Sequence, residues 1–480
     1  YGMISEPMSN TSTVRSVFII DDKQILRTIL YYPLTTGRNI PEILRIIEAL
    51  QTSDRDNVVT PANWFPGMPV ILPYPKTYKE LKNKVKKCSN ANSDYSCMDW
   101  YLCFVPDKNC KKDSSKSKIK TPSSKNSRPE ITNPKFQPVT IDYCPNVNPI
   151  VMEYVLGNPE NVDAQLLDAV IYAFVEINPD GTLYVPTPRF LRQLVQLKLE
   201  KPALQVIAAI GGWGTEGFSD AAATPASRYN FAREAKKLMN QYGLDGIDID
   251  WEYPGSSAAG IKSSPQDREN FTLLITALRD VLGDDAWLSV AGTGDSAYIR
   301  NSAEINKIAP LITYFNLMSY DFTAGETGEN ARKHQANLYP SDLSLPGYSV
   351  DDMVNNLIEA GMPSEKILLG VPFYGRLGAT VTKSYDDLRK DYINKNGYEI
   401  AFDKQAQVPY LVKDGKFAMS YDNALSIFLK GQYVLRNCLG GIFAWTSTYD
   451  QANILAKYMY QSIYDPDALK SELEQVFGQF

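Results

Sequence analysis

From about Val139 onward, short apolar runs alternate with stretches whose apolar residues recur at three- and four-residue spacing. Apolar runs bounded by turn residues predict strands buried on both faces, and the intervening spacing predicts amphipathic helices. Eight strand candidates result: Ile150–Leu156, Ala169–Ile177, Leu204–Ile210, Gly246–Glu252, Trp287–Ala291, Tyr314–Tyr320, Ile367–Phe373 and Gly440–Trp445. One of the helices begins at Ser264-Pro265-Gln266-Asp267, carries Phe271, Leu274, Ile275, Leu278 and Leu282, and stops at Gly283. Eight strand–helix units over roughly 325 residues predict an α/β fold, a (β/α)8 TIM barrel, with its chemistry where the strands end.

One interval breaks the pattern. Residues 376–419 are too long for a loop and carry Tyr385, Tyr392, Tyr398, Phe402, Pro409-Tyr410-Leu411 and the hairpin-like Lys413-Asp414-Gly415-Lys416. They predict a small α+β insertion between strands seven and eight. The barrel is placed at 139–465 and a terminal helix in 466–480, opened by Asp465-Pro466, with Leu469, Leu473 and Val476 on one face.

Upstream, residues 1–87 form a first unit. Val14–Ile20 and Ile25–Tyr32 are β-rich runs around Asp21-Asp22-Lys23-Gln24, a hairpin signal. Asn39 is a helix-cap candidate before Pro41, with Ile43, Leu44, Ile46, Ile47 and Leu50 as the apolar stripe. Residues 88–138 read as a linker, first cysteine-bearing, then rich in Lys, Ser and Pro from Lys111 to Pro138. That second part has too few large apolar side chains to offset its conformational entropy.

Composition narrows the partners. A net charge of −6 and a pI near 5.2 argue against nucleic acid. No apolar run reaches the ~18 residues a membrane span needs. The single histidine, His334, rules against histidine triads and multi-His zinc sites, and is read as a surface or packing residue. Cys88, Cys97, Cys103 and Cys110 lack Cys-x-x-Cys spacing, so disulfides, within the chain or as cross-links between molecules in an oxidising setting, are favoured over zinc. No cofactor or metal is expected.

The chemistry concentrates in the fourth strand, Leu244-Asp245-Gly246-Ile247-Asp248-Ile249-Asp250-Trp251-Glu252-Tyr253-Pro254. Alternation puts Asp248, Asp250 and Glu252 on one face, spaced roughly 6–7 Å apart, with Ile247, Ile249 and Trp251 on the other. Crowded carboxylates resist ionising together, so one stays protonated near neutrality and can serve as an acid. A solvated strand face fits the interleaved apolar residues poorly, and calcium favours loop oxygens with a turn glycine. Other strand ends add Tyr172-Ala173-Phe174, Gly211-Gly212-Trp213, Met318-Ser319-Tyr320-Asp321 and Trp445. Aromatic faces at such places suit sugar rings.

The Asp-x-x-Asp-x-Asp-x-Glu pattern resembles the signature of glycoside hydrolase family 18, the chitinases and their relatives. The strand-end segments above and Gly370-Val371-Pro372-Phe373-Tyr374-Gly375-Arg376 resemble their counterparts there, from about Val139 to Tyr460. The resemblance implies hydrolysis of β-1,4-linked N-acetylglucosamine polymers or oligomers, chitin, with retention and no cofactor. Family members are exceptions to the two-carboxylate scheme, since the substrate's own acetamido oxygen is the nucleophile. It implies a catalytic set of Glu252 as acid and then base, Asp250 orienting the acetamido group, Asp248 sharing a proton behind it, and Tyr320 donating to the acetamido oxygen. Gly211, Gly212, Trp213, Tyr253, Met318, Asp321, Arg376, Trp445, Phe174 and Tyr172 are the implied substrate-binding residues, with Trp445 as the floor. Two departures stand out: Ala209, where many members carry serine, and Gly292-Thr293-Gly294 at strand five. The alternatives are an endo-β-N-acetylglucosaminidase acting on glycans and a catalytically weak sugar-binding or coat protein.

Tyr31-Tyr32-Pro33-Leu34-Thr35-Thr36-Gly37-Arg38-Asn39 and Val59-Thr60-Pro61-Ala62-Asn63-Trp64 resemble the C-terminal half of one-cysteine peroxiredoxins, in which arginines matching Arg15 and Arg38 help hold the reactive thiolate. No cysteine here has Ser or Thr three residues before it, so this chain alone does not support peroxidase chemistry. The order of the two parts is similar to bifunctional spore-coat peroxiredoxin–chitinases, which implies an extracellular or spore-surface location.

Overall fold

The computed structural model describes residues 15–32, 38, 40–61, 64, 70–72, 96–99, 102–105, 144, 147–379 and 381–478. The chain divides into two compact units, Tyr1–Ile131 and Thr132–Phe480.

In the first unit, Arg15–Ile20 and Leu26–Tyr32 pair antiparallel. Asp21 makes their turn, its Oδ1 accepting the backbone N–H groups of Lys23 at 3.0 Å and Ile25 at 2.9 Å. A helix follows over Ile40–Asp56, with Pro41 in its first turn. The expected cap, Asn39, lies outside the described residues. Trp64 is fully buried against Ala49, Val58 and Val70. Within the span read as a linker, Ser96–Asp99 and Leu102–Val105 form a three-stranded antiparallel sheet with Val70–Ile71, which places Cys97 opposite Cys103 in the backbone register. Cys88 and Cys110 lie outside the described residues.

The second unit is a closed barrel. Its strands are β1 Ile150–Leu156, β2 Ala169–Ile177, β3 Gln205–Gly211, β4 Gly246–Asp250, β5 Trp287–Gly292, β6 Tyr314–Leu317, β7 Ile367–Pro372 and β8 Gly441–Trp445. Each pairs in parallel with the next, and β8 returns to β1. Alternation sorts their residues: Met152, Tyr154, Ile171, Ile207, Leu368 and Phe443 fill the interior, while Val151, Val155, Val170, Val206 and Ile247 meet the helices. Burial on both faces is why these strands read as near-continuous apolar runs. β4 and β6 end earlier than expected, at Asp250 and Leu317, so Glu252 and Tyr320 belong to the loops beyond.

Local chemistry sets the helix ends. Thr224 and Ser227 form a capping box before Pro225–Tyr242, and Gly243 closes that helix at φ +71°. The helix Asp267–Leu282 stops at Gly283. The terminal helix, Pro466–Phe477, buries Leu469 and Leu473. Val476, expected on the same face, is 71% exposed, because the apolar neighbours on that side end with the Phe428 cluster.

The insertion is a five-stranded antiparallel sheet in the spatial order Val381–Ser384, Tyr374–Leu377, Lys416–Ser420, Val408–Lys413, Tyr398–Asp403, with a short helical segment from Tyr385 to Tyr392. Asp414 and Gly415, at φ +51° and +70°, make the tight hairpin turn. His334 is a packing residue here: fully buried, its Nε2 lies 3.1 Å from Asp403, with Tyr410 and Phe417 at its ring edges. That hydrogen bond is the first cause holding the Asp403 carboxyl below the usual carboxylate range. A disulfide not anticipated from the sequence, Cys144–Cys438, joins the lead-in of β1 to that of β8 across 294 positions. No helix among the described residues is long and apolar enough to cross a membrane.

Candidate active site

The acids of β4 lie at the C-terminal mouth of the barrel, but the three have different surroundings. Asp248 is deepest and fully buried. Its Oδ1 accepts Ser289 Oγ–H at 2.6 Å and Asn316 Nδ2–H at 3.0 Å, and its Oδ2 accepts Tyr154 Oη–H at 2.9 Å. Burial pushes its pKa up to about 6, while these three donors hold it down from going higher. Asp250, one pleat closer to the mouth, is also buried, and its Oδ1 has no hydrogen-bond partner among the described residues. Burial raises its pKa well above the usual range, and the charges of Glu252 and Asp248 add to the effect.

Glu252 is half-buried in the loop two residues past β4. Burial raises its pKa to about 7; a Tyr253 hydrogen bond opposes the rise and the Asp321 charge adds to it. It is therefore a carboxyl that holds a proton into the neutral range, as a general acid must. Between the acids, Trp251 faces outward and is buried, stacked on Phe218 at 5.3 Å and edge-on to Phe271 at 5.8 Å.

Tyr320, beyond β6, joins this group. Its phenol is raised by burial and then by the charges of Asp250, Asp321, Glu252 and Asp248, so its hydroxyl feels all four carboxylates. Its ring meets the edges of Tyr374 at 6.5 Å and Phe443 at 6.2 Å. Asp321 follows at φ +62°, and its Oδ1 accepts Arg376 Nε–H at 2.6 Å and Tyr374 Oη–H at 2.7 Å. This ties the β6 loop to the first strand of the insertion. Met318 is buried, with its backbone N–H donating to the Gly292 carbonyl.

Trp445, half-buried at the end of β8, stacks on Phe174 at 5.5 Å with 28° between planes, and Tyr154 meets it edge-on at 5.7 Å. Gly211 and Gly212 let the β3 loop pass close by. A Cβ on Gly211 would lie 2.0 Å from the Asp250 carbonyl oxygen, and one on Gly212 would lie 2.7 Å from the Phe174 ring. Trp213 follows at 61% exposure, edge-on to Tyr253 at 6.4 Å.

The structure does not bring Tyr172 to this group. It faces the helix layer, fully buried, with its hydroxyl bonded to Thr187 Oγ1 at 2.7 Å. Side chains alternate along β2, so Tyr172 points outward, and Phe174, at a register shift between Ala173 and Val175, reaches the mouth. Tyr154, Ser289 and Asn316, which hold Asp248, were not singled out from the sequence. Ser289 and Asn316 are single polar side chains in short apolar strands, and Tyr154 follows Glu153 in β1; no spacing marks any of the three. Asp248 obtains three donors although Ala209, its register partner on β3, offers only a methyl group. Gly292 leaves room for Tyr298, since a Cβ there would lie 2.4 Å from the Tyr298 hydroxyl. Among the described residues, no cluster of His, Cys, Asp and Glu is arranged to hold a metal ion.

Comparison with known proteins agrees with this architecture. Residues 49–87 match the model of the C-terminal domain of 1-Cys peroxiredoxin. Peroxiredoxin 2 of Caldanaerobacter subterraneus subsp. tengcongensis is 64% identical over 104 residues, 22% of this chain and 45% of its own length. Chitinase A1 of Niallia circulans is 34% identical over 303 residues, 55% of this chain and 43% of its own. The chain thus spans less than half the length of these two curated relatives. The crystal structure of the chitinase domain of the spore coat protein CotE from Clostridium difficile shares 75% identity at a TM-score of 0.54, covering 72% of this chain and 100% of that one. Residues 150–450, more than half of the chain, match the model for glycosyl hydrolases family 18, and the protein belongs to that family.

Proposed function

We propose that the barrel hydrolyses chitin, or shorter β-1,4-linked N-acetylglucosamine chains, with retention by substrate-assisted catalysis. The observation that carries this reading is the Oδ1 of Asp250, without a hydrogen-bond partner among the described residues and buried beside a carboxyl that keeps its proton to about pH 7. An acceptor left unpaired in a buried site is costly, and an acetamido N–H is a group that would satisfy it. Asp250 and Glu252 come from the same chain segment, which suits them poorly to flank a scissile bond as the acid–nucleophile pair of ordinary retaining enzymes. A nucleophile within the substrate removes that need.

In this scheme Glu252 protonates the leaving glycosidic oxygen. The substrate's acetamido carbonyl oxygen attacks the anomeric carbon as that bond breaks, closing an oxazolinium ring. Asp250 accepts the acetamido N–H and balances the charge developing there, and Asp248 shares its proton load from behind. Tyr320 donates to the acetamido oxygen. Glu252, now a base, takes a proton from the water that reopens the ring at the anomeric carbon. Trp445 forms the floor beneath the reacting sugar, with Phe174 supporting it. Trp213, Tyr253, Met318, Asp321, Arg376, Gly211 and Gly212 line the neighbouring cleft.

Proton NMR of the first products from chitohexaose tests this reading. Newly formed reducing ends should be β and mutarotate later, and fully deacetylated oligomers should not be cleaved. Initial α products, or equal cleavage of the deacetylated chain, would overturn it. Release of glycan from a high-mannose glycoprotein with no action on chitohexaose would instead favour an endo-acting glycan hydrolase. The Cys144–Cys438 disulfide suits oxidising surroundings. We place the protein at an extracellular or spore surface and assign Cys88, Cys97, Cys103 and Cys110 to disulfide cross-linking.

A further inference from the structure

Asp248 has two register neighbours, one on each adjoining strand. On β3 this is Ala209, and on β5 it is Ser289. Both are fully buried, and since Ala209 carries no hydroxyl, the one hydroxyl that reaches Asp248 from a neighbouring strand among the described residues is that of Ser289, at 2.6 Å. Two residues earlier on β5, the indole Nε1 of Trp287 donates to the same Ser289 oxygen at 3.1 Å, and its ring is held against Tyr314 at 4.9 Å.

An indole nitrogen can only donate, so the serine oxygen must accept from it. The single hydroxyl hydrogen of Ser289 is then left to point at Asp248. The other contacts have the same polarity. Asn316 Nδ2 donates both to Asp248 Oδ1 and to Tyr154 Oη, at 3.0 and 2.8 Å, which leaves the phenol hydrogen for Asp248 Oδ2. Every oriented contact of Asp248 is a donor, an arrangement that favours its charged form.

We infer that Trp287 and Ser289 are positioning residues that act through Asp248: the indole orients the serine hydroxyl, which holds Asp248 as the anion and leaves the proton of the acid row with Asp250 and Glu252. This rests on the reading of the site proposed above. The titratable groups facing Asp248 are Tyr154 from β1, Asp250 on its own strand and Tyr320 beyond β6. Burial already lifts Asp248 to about 6, and loss of its best donor lifts it further. The acid limb of the activity profile then moves to higher pH, while the alkaline limb, set by Glu252, stays in place.

The test uses the full chain and a fluorogenic chitobiose glycoside between pH 4 and 9. Ser289→Ala should lower kcat about tenfold to hundredfold with little change in KM, and move the acid limb upward. Trp287→Phe keeps a ring but loses the N–H; it should shift the limb the same way and lower kcat about threefold to tenfold. Adding Ala209→Ser to Ser289→Ala supplies a hydroxyl from the opposite strand and should restore both kcat and the acid limb. Wild-type kcat and acid limb in Ser289→Ala would overturn the inference. So would a pH-independent loss that Ala209→Ser does not repair, since that marks a structural role. Glu252→Gln run alongside separates the failures: full activity there removes the reading of the site, whereas a silent Ser289→Ala beside an inactive Glu252→Gln removes only this inference.

Discussion

Glu153 offers a test of how the barrel seam depends on pH. It lies on β1, next to Tyr154, and points into the helix-facing layer. It is 1% exposed, and neither carboxyl oxygen has a hydrogen-bond partner among the described residues. Burial, followed by the charges of Asp450 and Asp163, raises its pKa from 4.5 to about 8. Glu153 is therefore neutral in the folded protein at pH 7, whereas the unfolded chain has released that proton. Between about pH 4.5 and pH 8 the folded state binds the extra proton, so the stability it confers is lost as pH rises through that window. The gap between 4.5 and about 8 corresponds to about 5 kcal/mol in all, of which about 4 kcal/mol falls between pH 5 and pH 9. Glu153→Gln keeps the shape and removes the titration. The other acids raised by burial, Asp248, Asp250, Glu252 and Asp450, act in the same direction but are present in both proteins and cancel in the comparison. Melting followed by differential scanning fluorimetry from pH 5 to pH 9 should show wild type losing several degrees more than Glu153→Gln. Equal losses in the two proteins would show that Glu153 is not held neutral in the folded barrel.

Other outcomes follow from the same structure. Lys430 and Asp422 form a buried pair with both contacts at 2.8 Å, so Lys430→Met should cost about 3–5 kcal/mol in urea denaturation by stranding the carboxylate; Lys430→Met combined with Asp422→Leu should recover most of it. Tyr320→Phe should lower kcat about tenfold to hundredfold, with the melting temperature unchanged, if its hydroxyl acts as proposed, on the bound substrate alone. On nonreducing electrophoresis the full chain should show higher-mass species that collapse on reduction, whereas a single band insensitive to reductant would remove the proposed cross-linking.

The sequence is most legible where burial is greatest. All eight barrel strands are recognisable because a strand covered on both faces needs an unbroken apolar run, and two candidates, Ile150–Leu156 and Ala169–Ile177, coincide with the observed strands. Strand ends are less legible. Glu252 lies past the end of β4, because alternation of residue type continues into a loop that no longer pairs. Tyr172 and Phe174 have the same parity in sequence but different surroundings, because the β2–β3 register shifts between Ala173 and Val175. The donors to Asp248 come from β1, β5 and β6, and only closure of the barrel brings them together. Cys144 and Cys438 meet for the same reason, since they precede the two strands that seal the ring.

In the proposed mechanism, everything depends on the proton carried by Glu252. Turnover of a fluorogenic chitotrioside by wild type and Glu252→Gln, with both proteins shown to be folded by near-ultraviolet circular dichroism, tests it most directly. In Glu252→Gln, kcat should fall about a hundredfold or more. Turnover within a few fold of wild type would contradict it.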